Sequence, residues 1–313
     1  MKFIVILVLL VSAVLFWLTR SRDLGVSSPI PKIFGSTRAK AINSWFPKDD
    51  SKDSRSYDLV IGAKSAFLVD YESGEILFAK NPKQRLLAAS TIKIMTALVA
   101  LENAKPSDVF TVSENAQRVG ENSMVLSAGE KLTVKDLLYG LMLVSGNDAA
   151  VTLAEGIAGS ENAFVVMMNE KARELGLSNT RFVNASGLDV DGENQYTTAY
   201  DLLVISRYVW DKYPDFGKIT STEHIYIEGT SDHKPFDLYN DTNLLTTYPG
   251  VRGIKPGFTW EAGLCLVTYA ENEGKRLLGV ILGSDDRRGE MKELLDYGFA
   301  TYGITVPHPA LDL

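Results

Sequence analysis

The order in which strand-like and helix-like patterns alternate along the chain limits its fold more than any other feature. Two short β-rich runs, Ser65–Asp70 and Glu75–Lys80, are joined by Tyr71-Glu-Ser-Gly74 and read as a hairpin. From Ser90 onward the pattern turns helical. Thr133 with Asp136 resembles a capping box, and Leu137, Leu138, Leu141 and Met142 follow on one face. Ser160 opens a further helix whose stripe is Phe164, Met168, Ala172 and Leu175, with Gly176 closing it. Strands then return as a polar hairpin over 223–229 and 234–239, followed by Val251–Gly257, Gly263–Tyr269 and Arg276–Leu282. A last helix carries Met291, Leu294, Leu295 and Phe299. Strands at both ends with helices between them predict one antiparallel sheet built from the two ends of the chain. Long helical excursions do not fit inside a hairpin-connected sheet, so they should form a lobe of their own. The expected class is α+β.

The N-terminus reports a compartment. Phe3–Leu18 is an apolar run interrupted only by Ser12, and Thr19-Arg-Ser-Arg22 follows it. Its length lies between a signal-peptide core and the ~20 residues of a full span. No good cleavage site follows, so residues 1–19 read as an uncleaved signal-anchor, with a cleaved signal as the alternative. Residues 20–57 lack a hydrophobic period and read as a polar tether. Residues 58–306 read as one folded domain and 307–313 as a tail. Either export reading puts the folded part on the extracytoplasmic side of a cell membrane.

The formal net charge of −7 argues against a general nucleic-acid binder. Cys265 is the single cysteine, which excludes an intramolecular disulfide and reads as core. His224, His233 and His308 make no zinc-ligand spacing, and Asp189-Val-Asp191-Gly192 has its glycine too early for a calcium loop, so no metal and no cofactor is expected.

Three short patterns carry chemistry. Ser90-Thr-Ile-Lys93 opens an apolar run able to form a helix, so the lysine amine can approach the serine hydroxyl from the same face. Ser231-Asp-His-Lys234 matches the same pattern but sits in a polar turn. Ser145-Gly-Asn147 interrupts a hydrophobic run, where a bare hydroxyl and amide cost free energy unless partnered. Ser113-Glu-Asn115 and Ser160-Glu-Asn162 match it too and read as helix starts. Lys255-Pro-Gly257 lies on a strand, where glycine lets a substrate backbone come close. Taken singly, the three read first as an ordinary N-cap, an interhelical turn and a strand with a surface lysine.

Together they resemble the penicillin-recognising serine hydrolases, in which Ser-x-x-Lys, Ser-x-Asn and Lys-Thr-Gly elements occur in this order. The resemblance runs along most of 60–302. Ala88–Thr96, Leu137–Ala150, Phe182–Leu188, Thr197-Thr198 and Tyr297-Gly-Phe299 are similar to the D-alanyl-D-alanine carboxypeptidase branch. That branch implies an antiparallel sheet flanked by helices plus a helical lobe, and removal of terminal D-alanine from peptidoglycan stem peptides through an acyl-enzyme on Ser90. It also implies β-lactams as covalent inhibitors. By the same resemblance Lys93 is the base and Ser145 the proton relay, while Asn147 holds Lys93 or the substrate amide. Lys255, Thr259 and Arg287 face the substrate carboxylate, with Arg288 as the alternative to Arg287. The amides of Ser90 and Phe258 form the oxyanion hole beside Gly257.

Two departures stand out. Pro256 replaces the family's usual hydroxyl residue, and no match to the family's frequent C-terminal β-domain and amphipathic anchor is expected, so the N-terminal segment is the expected source of membrane attachment. Rival readings are a D,D-endopeptidase using the same residues and a non-catalytic cell-wall-binding relative. A β-lactamase is disfavoured, because no Glu-x-x-Leu-Asn pattern is present.

Overall fold

The computed structural model describes residues 46–47, 59–189 and 194–309. The expected anchor over 1–19, most of the tether over 20–57, residues 310–313 of the tail and most of the Asp189–Gly192 loop lie outside them. Among the described residues no helix is long and apolar enough to cross a membrane.

The hairpin β1 (Ser65–Asp70) and β2 (Ile76–Lys80) joins β7 (Val251–Thr259), β8 (Gly263–Asn272) and β9 (Lys275–Ser284) in one sheet of order β2-β1-β9-β8-β7. All neighbours are antiparallel, and β1 meets β9 with Phe67 opposite Val280 and Leu68 opposite Gly279. The two ends of the chain therefore close the sheet, as the sequence pattern implies. The last three strands extend a few residues beyond their expected limits.

Both faces of the sheet are covered, which is why β1 is buried along its whole length. Side chains alternate between faces with period two. Ala66, Leu68, Leu277 and Ile281 pack with Met291, Leu294, Leu295 and Phe299 of the closing helix α9 (Arg287–Ala300). Phe67, Val69, Val267 and Val280 join the other cluster, with α1 (Lys93–Asn103) and α6 (Ala199–Lys212). Burying a side chain such as Phe67 or Leu68 stabilises by roughly 1.5–3 kcal/mol. Cys265 belongs to this second cluster as expected, and burial pushes its thiol up to about 11.

The remaining helices are α2 (Glu114–Arg118), α3 (Val134–Leu143), α4 (Asn147–Ala158), α5 (Glu161–Glu174), α7 (Pro214–Thr220) and α8 (Leu244–Thr247). Thr133 caps α3 by accepting from the Asp136 amide, and Ser160 caps α5 by accepting from Ala163. The helical stretch is not continuous. Val109–Thr111 (β3) pairs with Lys131–Thr133 (β4), both too short to show a strand period in sequence. The polar hairpin appears as β5 (His224–Ile227) and β6 (Phe236–Tyr239). The expected tether is interrupted at Phe46-Pro47, where Pro47 is buried and the Phe46 ring stacks on Tyr200 of α6 at 6.4 Å.

Candidate active site

Ser90 does not cap a helix. It lies in a 3₁₀ turn, Ala89–Ile92, that runs into α1, and neither start has a side-chain cap. In a 3₁₀ turn residues three apart eclipse, so Lys93 sits directly above Ser90. The turn is tightly held. Ala89 has φ +46°, a left-handed conformation costly for a residue with Cβ, and Thr91 Oγ1 donates to the Ala88 carbonyl at 2.6 Å.

Strand β7 presses on this turn through Gly257. A Cβ there would lie 2.9 Å from the Ser90 nitrogen and 3.0 Å from that of Thr91. The glycine of Lys-x-Gly, which also lines the cavity, is thus needed for the serine-bearing turn to approach the strand. Gly187, at φ +85°, is constrained likewise, since a Cβ would fall 2.2 Å from the Ala89 carbonyl oxygen.

Lys93 is fully buried, its Nζ 2.9 Å from Ser90 Oγ and 2.7 Å from Asn147 Oδ1, with a close contact to the Ser186 carbonyl as well. Two of these partners are carbonyl oxygens and only accept. A neutral amine has two hydrogens and one lone pair. With one hydrogen for each carbonyl, the lone pair is left for the Ser90 hydroxyl. Burial first, and the Lys255 cation second, push the Lys93 pKa well below the ordinary lysine range, opposed by Glu121 and Asp148. Asn147 is oriented for this contact because its Nδ2 donates to the Gly120 carbonyl at 3.0 Å. Next to it, buried Asp148 accepts from Ser123 Oγ at 2.6 Å and from the Met124 and Leu126 amides at 2.9 Å, pinning the loop above the site.

Ser145 links α3 to α4 at φ +59°, and its buried Oγ has no hydrogen-bond partner among the described residues. Lys255 Nζ is also fully buried without one, and burial pushes its pKa down to about 8, with Asp241 opposing and Arg287 assisting. Ser90, Ser145, Lys255, Pro256, Phe258 and Arg287 line one open cavity of about 480 Å³. Two orphaned polar atoms beside one serine leave a donor and a hydroxyl for a ligand that carries an anion. Arg287 is also tied to the strand, its Nη1 donating to the Gly257 carbonyl at 2.6 Å, whereas Arg288 is exposed.

Thr259 stands apart from this wall. Its Oγ1 accepts from the Ala262 amide at 3.1 Å where β7 ends. The other matches to the motifs are structural. Ser113 and Ser160 are N-caps, and Lys234 bonds Glu130 and Ser127 rather than Ser231. Sequence reasoning passed over the Ser186 carbonyl, Asp148, Asn122, Asn240, Asp241 and Asn243, all at or beside the cavity. Asp148 directly follows the Ser-x-Asn pattern, whereas a carbonyl leaves no signature in sequence.

Residues 51–286 match the model of the D-alanyl-D-alanine carboxypeptidase family. The chain belongs to that family. It is 40% identical over 267 residues to the D-alanyl-D-alanine carboxypeptidase DacF of Bacillus subtilis, covering 83% of this chain and 67% of that one. It is 36% identical over 252 residues to DacD of Escherichia coli, covering 76% of this chain and 63% of that relative. The matched region thus spans about two thirds of these relatives' own length. The Streptomyces K15 DD-transpeptidase has the same fold, with a TM-score of 0.72 at 30% identity, covering 77% of this chain and 98% of that one. Within this D-alanyl-D-alanine carboxypeptidase fold Pro256 stands on β7, an edge strand, where a missing N–H on the unpaired side is tolerated.

Proposed function

We propose that the protein is a serine-type D-Ala-D-Ala carboxypeptidase that trims peptidoglycan stem peptides. The observation that carries this reading is the arrangement at Lys93, with two carbonyls for its hydrogens and Ser90 for its lone pair. Ser90 Oγ attacks the carbonyl of the penultimate D-alanine while Lys93 takes the hydroxyl proton. Negative charge develops on the carbonyl oxygen, and the Ser90 and Phe258 amides receive it. Ser145 relays that proton from Lys93 to the amine of the departing D-alanine, receiving one as it gives one, so that Lys93 is neutral again. Water then attacks the acyl-enzyme, Lys93 accepts the water's proton and returns it to Ser90 Oγ as the ester bond breaks, and the hydroxyl is regenerated.

The terminal carboxylate binds at the cationic end of the cavity. Lys255 and Arg287 provide the charge there. A charge-assisted hydrogen bond contributes about 1.5–3 kcal/mol, so Lys255 accounts for much of the affinity. β-Lactams, which carry a carboxylate beside a reactive amide, acylate the same serine. The apolar run Phe3–Leu18 attaches the protein to the membrane, with the catalytic domain on the extracytoplasmic side. Incubating the full chain with N-acetylated L-Lys-D-Ala-D-Ala should release one D-alanine per peptide, and Ser90→Ala should release none. Failure of the wild-type protein to release D-alanine would refute the assignment.

A further inference from the structure

Among the described residues, Trp260 is the most exposed large apolar side chain, at 89% of its full surface. It packs edge-to-face on Phe258, itself 46% exposed, with ring centroids 5.4 Å apart and planes at 72°. An exposed Trp–Phe pair beside a cleft offers an aromatic surface that apolar atoms of a ligand can cover. Phe258 lines the cavity that holds Ser90, and Trp260 stands one residue beyond the end of β7.

Their place along β7 sets what can reach them. The strand lies at the sheet edge, so an extended peptide can run beside it. On the carboxypeptidase reading the carboxylate of the leaving D-alanine binds at Lys255 and Arg287, which line the cavity with Pro256 and Asp241. The acyl part of the substrate must then run the other way, past Phe258 toward Trp260. Each residue of an extended chain advances about 3.3 Å, so the residue preceding the D-alanyl pair comes within side-chain reach of the indole. A glycan ring, attached at the far end of the stem, lies further off.

The polarity of the cleft narrows the chemistry. Its leaving-group end carries Lys255 and Arg287, whereas the aromatic pair is followed directly by the exposed carboxylate of Glu261. An aromatic face beside an acid suits a long aliphatic side chain that ends in an ammonium. We propose that Trp260 and Phe258 form a specificity subsite for the side chain of a diamino acid preceding the D-alanyl pair. The indole covers the methylenes and faces the cation, and Glu261 adds charge. This rests on the carboxypeptidase reading above.

The test compares three N-acetylated peptides, X-D-Ala-D-Ala, in which X is L-lysine, Nε-acetyl-L-lysine or L-alanine, by the rate of D-alanine release. Full-length wild-type protein should favour lysine over alanine by at least about fivefold in kcat/KM, with acetylation of the amine removing part of that preference. In Trp260→Ala the lysine-to-alanine ratio should fall to near one, and Trp260→Phe should keep an intermediate ratio. A wild-type enzyme without preference, or a preference that survives Trp260→Ala, overturns the subsite. Absence of D-alanine release from all three peptides by the wild type would instead overturn the carboxypeptidase reading itself.

Discussion

Replacing Ser145 by glycine should make the protein more stable and less active. Ser145 holds φ +59°, a left-handed conformation costing a residue with Cβ roughly 1–2 kcal/mol, and glycine adopts it freely. Its Oγ is buried without a partner among the described residues, and an unsatisfied buried hydroxyl costs about 1–3 kcal/mol. Against these gains, a new glycine loosens the unfolded chain and costs about 0.4–1 kcal/mol. The balance favours the variant by about 2 kcal/mol. For a domain of this size that raises Tm by roughly 4–8 °C. Differential scanning calorimetry reads the stability, and D-alanine release reads the function. The proton relay should be lost with the hydroxyl, lowering kcat by at least about tenfold. A variant that melts at or below the wild-type temperature would show that neither the strain nor the orphaned hydroxyl is real. One that melts higher at full activity would remove Ser145 from the chemistry.

Gly257→Ala places a methyl 2.9 Å from the Ser90 nitrogen. Overpacking of this kind costs about 1–3 kcal/mol, and an ångström of misplacement costs about a hundredfold in rate, so penicillin acylation should fall far more than Tm does; unchanged acylation would contradict the contact. Acylation should also be bell-shaped in pH. Lys93 must be neutral, so the rate rises as pH climbs through its depressed pKa; Lys255 must be charged, so kcat/KM falls above about 8. Lys255→Arg, which cannot deprotonate, should lose the alkaline limb, and persistence of that limb would reassign it. Pro256→Thr restores a hydroxyl beside the carboxylate and should raise kcat/KM on a D-Ala-D-Ala peptide by about tenfold, mainly through KM; no gain would mean the site has adapted to proline.

The sheet was legible because Phe67, Leu68, Val267 and Val280 lie in short β-rich runs bounded by turn residues, and those runs fall at both ends of the chain. The helix starts at Thr133 and Ser160 were legible from their caps. Strands β3 and β4 were not, because three residues are too few for a period. Ser90 and Lys93 could be paired from their spacing, but the 3₁₀ turn that eclipses them could not, since it depends on Gly257 and Gly187 pressing from distant parts of the chain. The Ser186 carbonyl that completes the environment of Lys93 is backbone, and its approach is a tertiary fact. Arg287 entered only through the family resemblance, and Trp260 gave no signal, because a single exposed aromatic in a sequence does not declare its exposure.

The claim on which the rest depends is that Ser90 is the nucleophile and neutral Lys93 its base. Intact-mass spectrometry after incubation with benzylpenicillin, followed by peptide mapping, tests it directly. The account predicts one added penicillin mass on the peptide containing Ser90, none in Ser90→Ala and almost none in Lys93→Arg, which keeps the charge but cannot accept a proton. Labelling at Ser231, undiminished labelling of Ser90→Ala, or full-rate labelling of Lys93→Arg would contradict it.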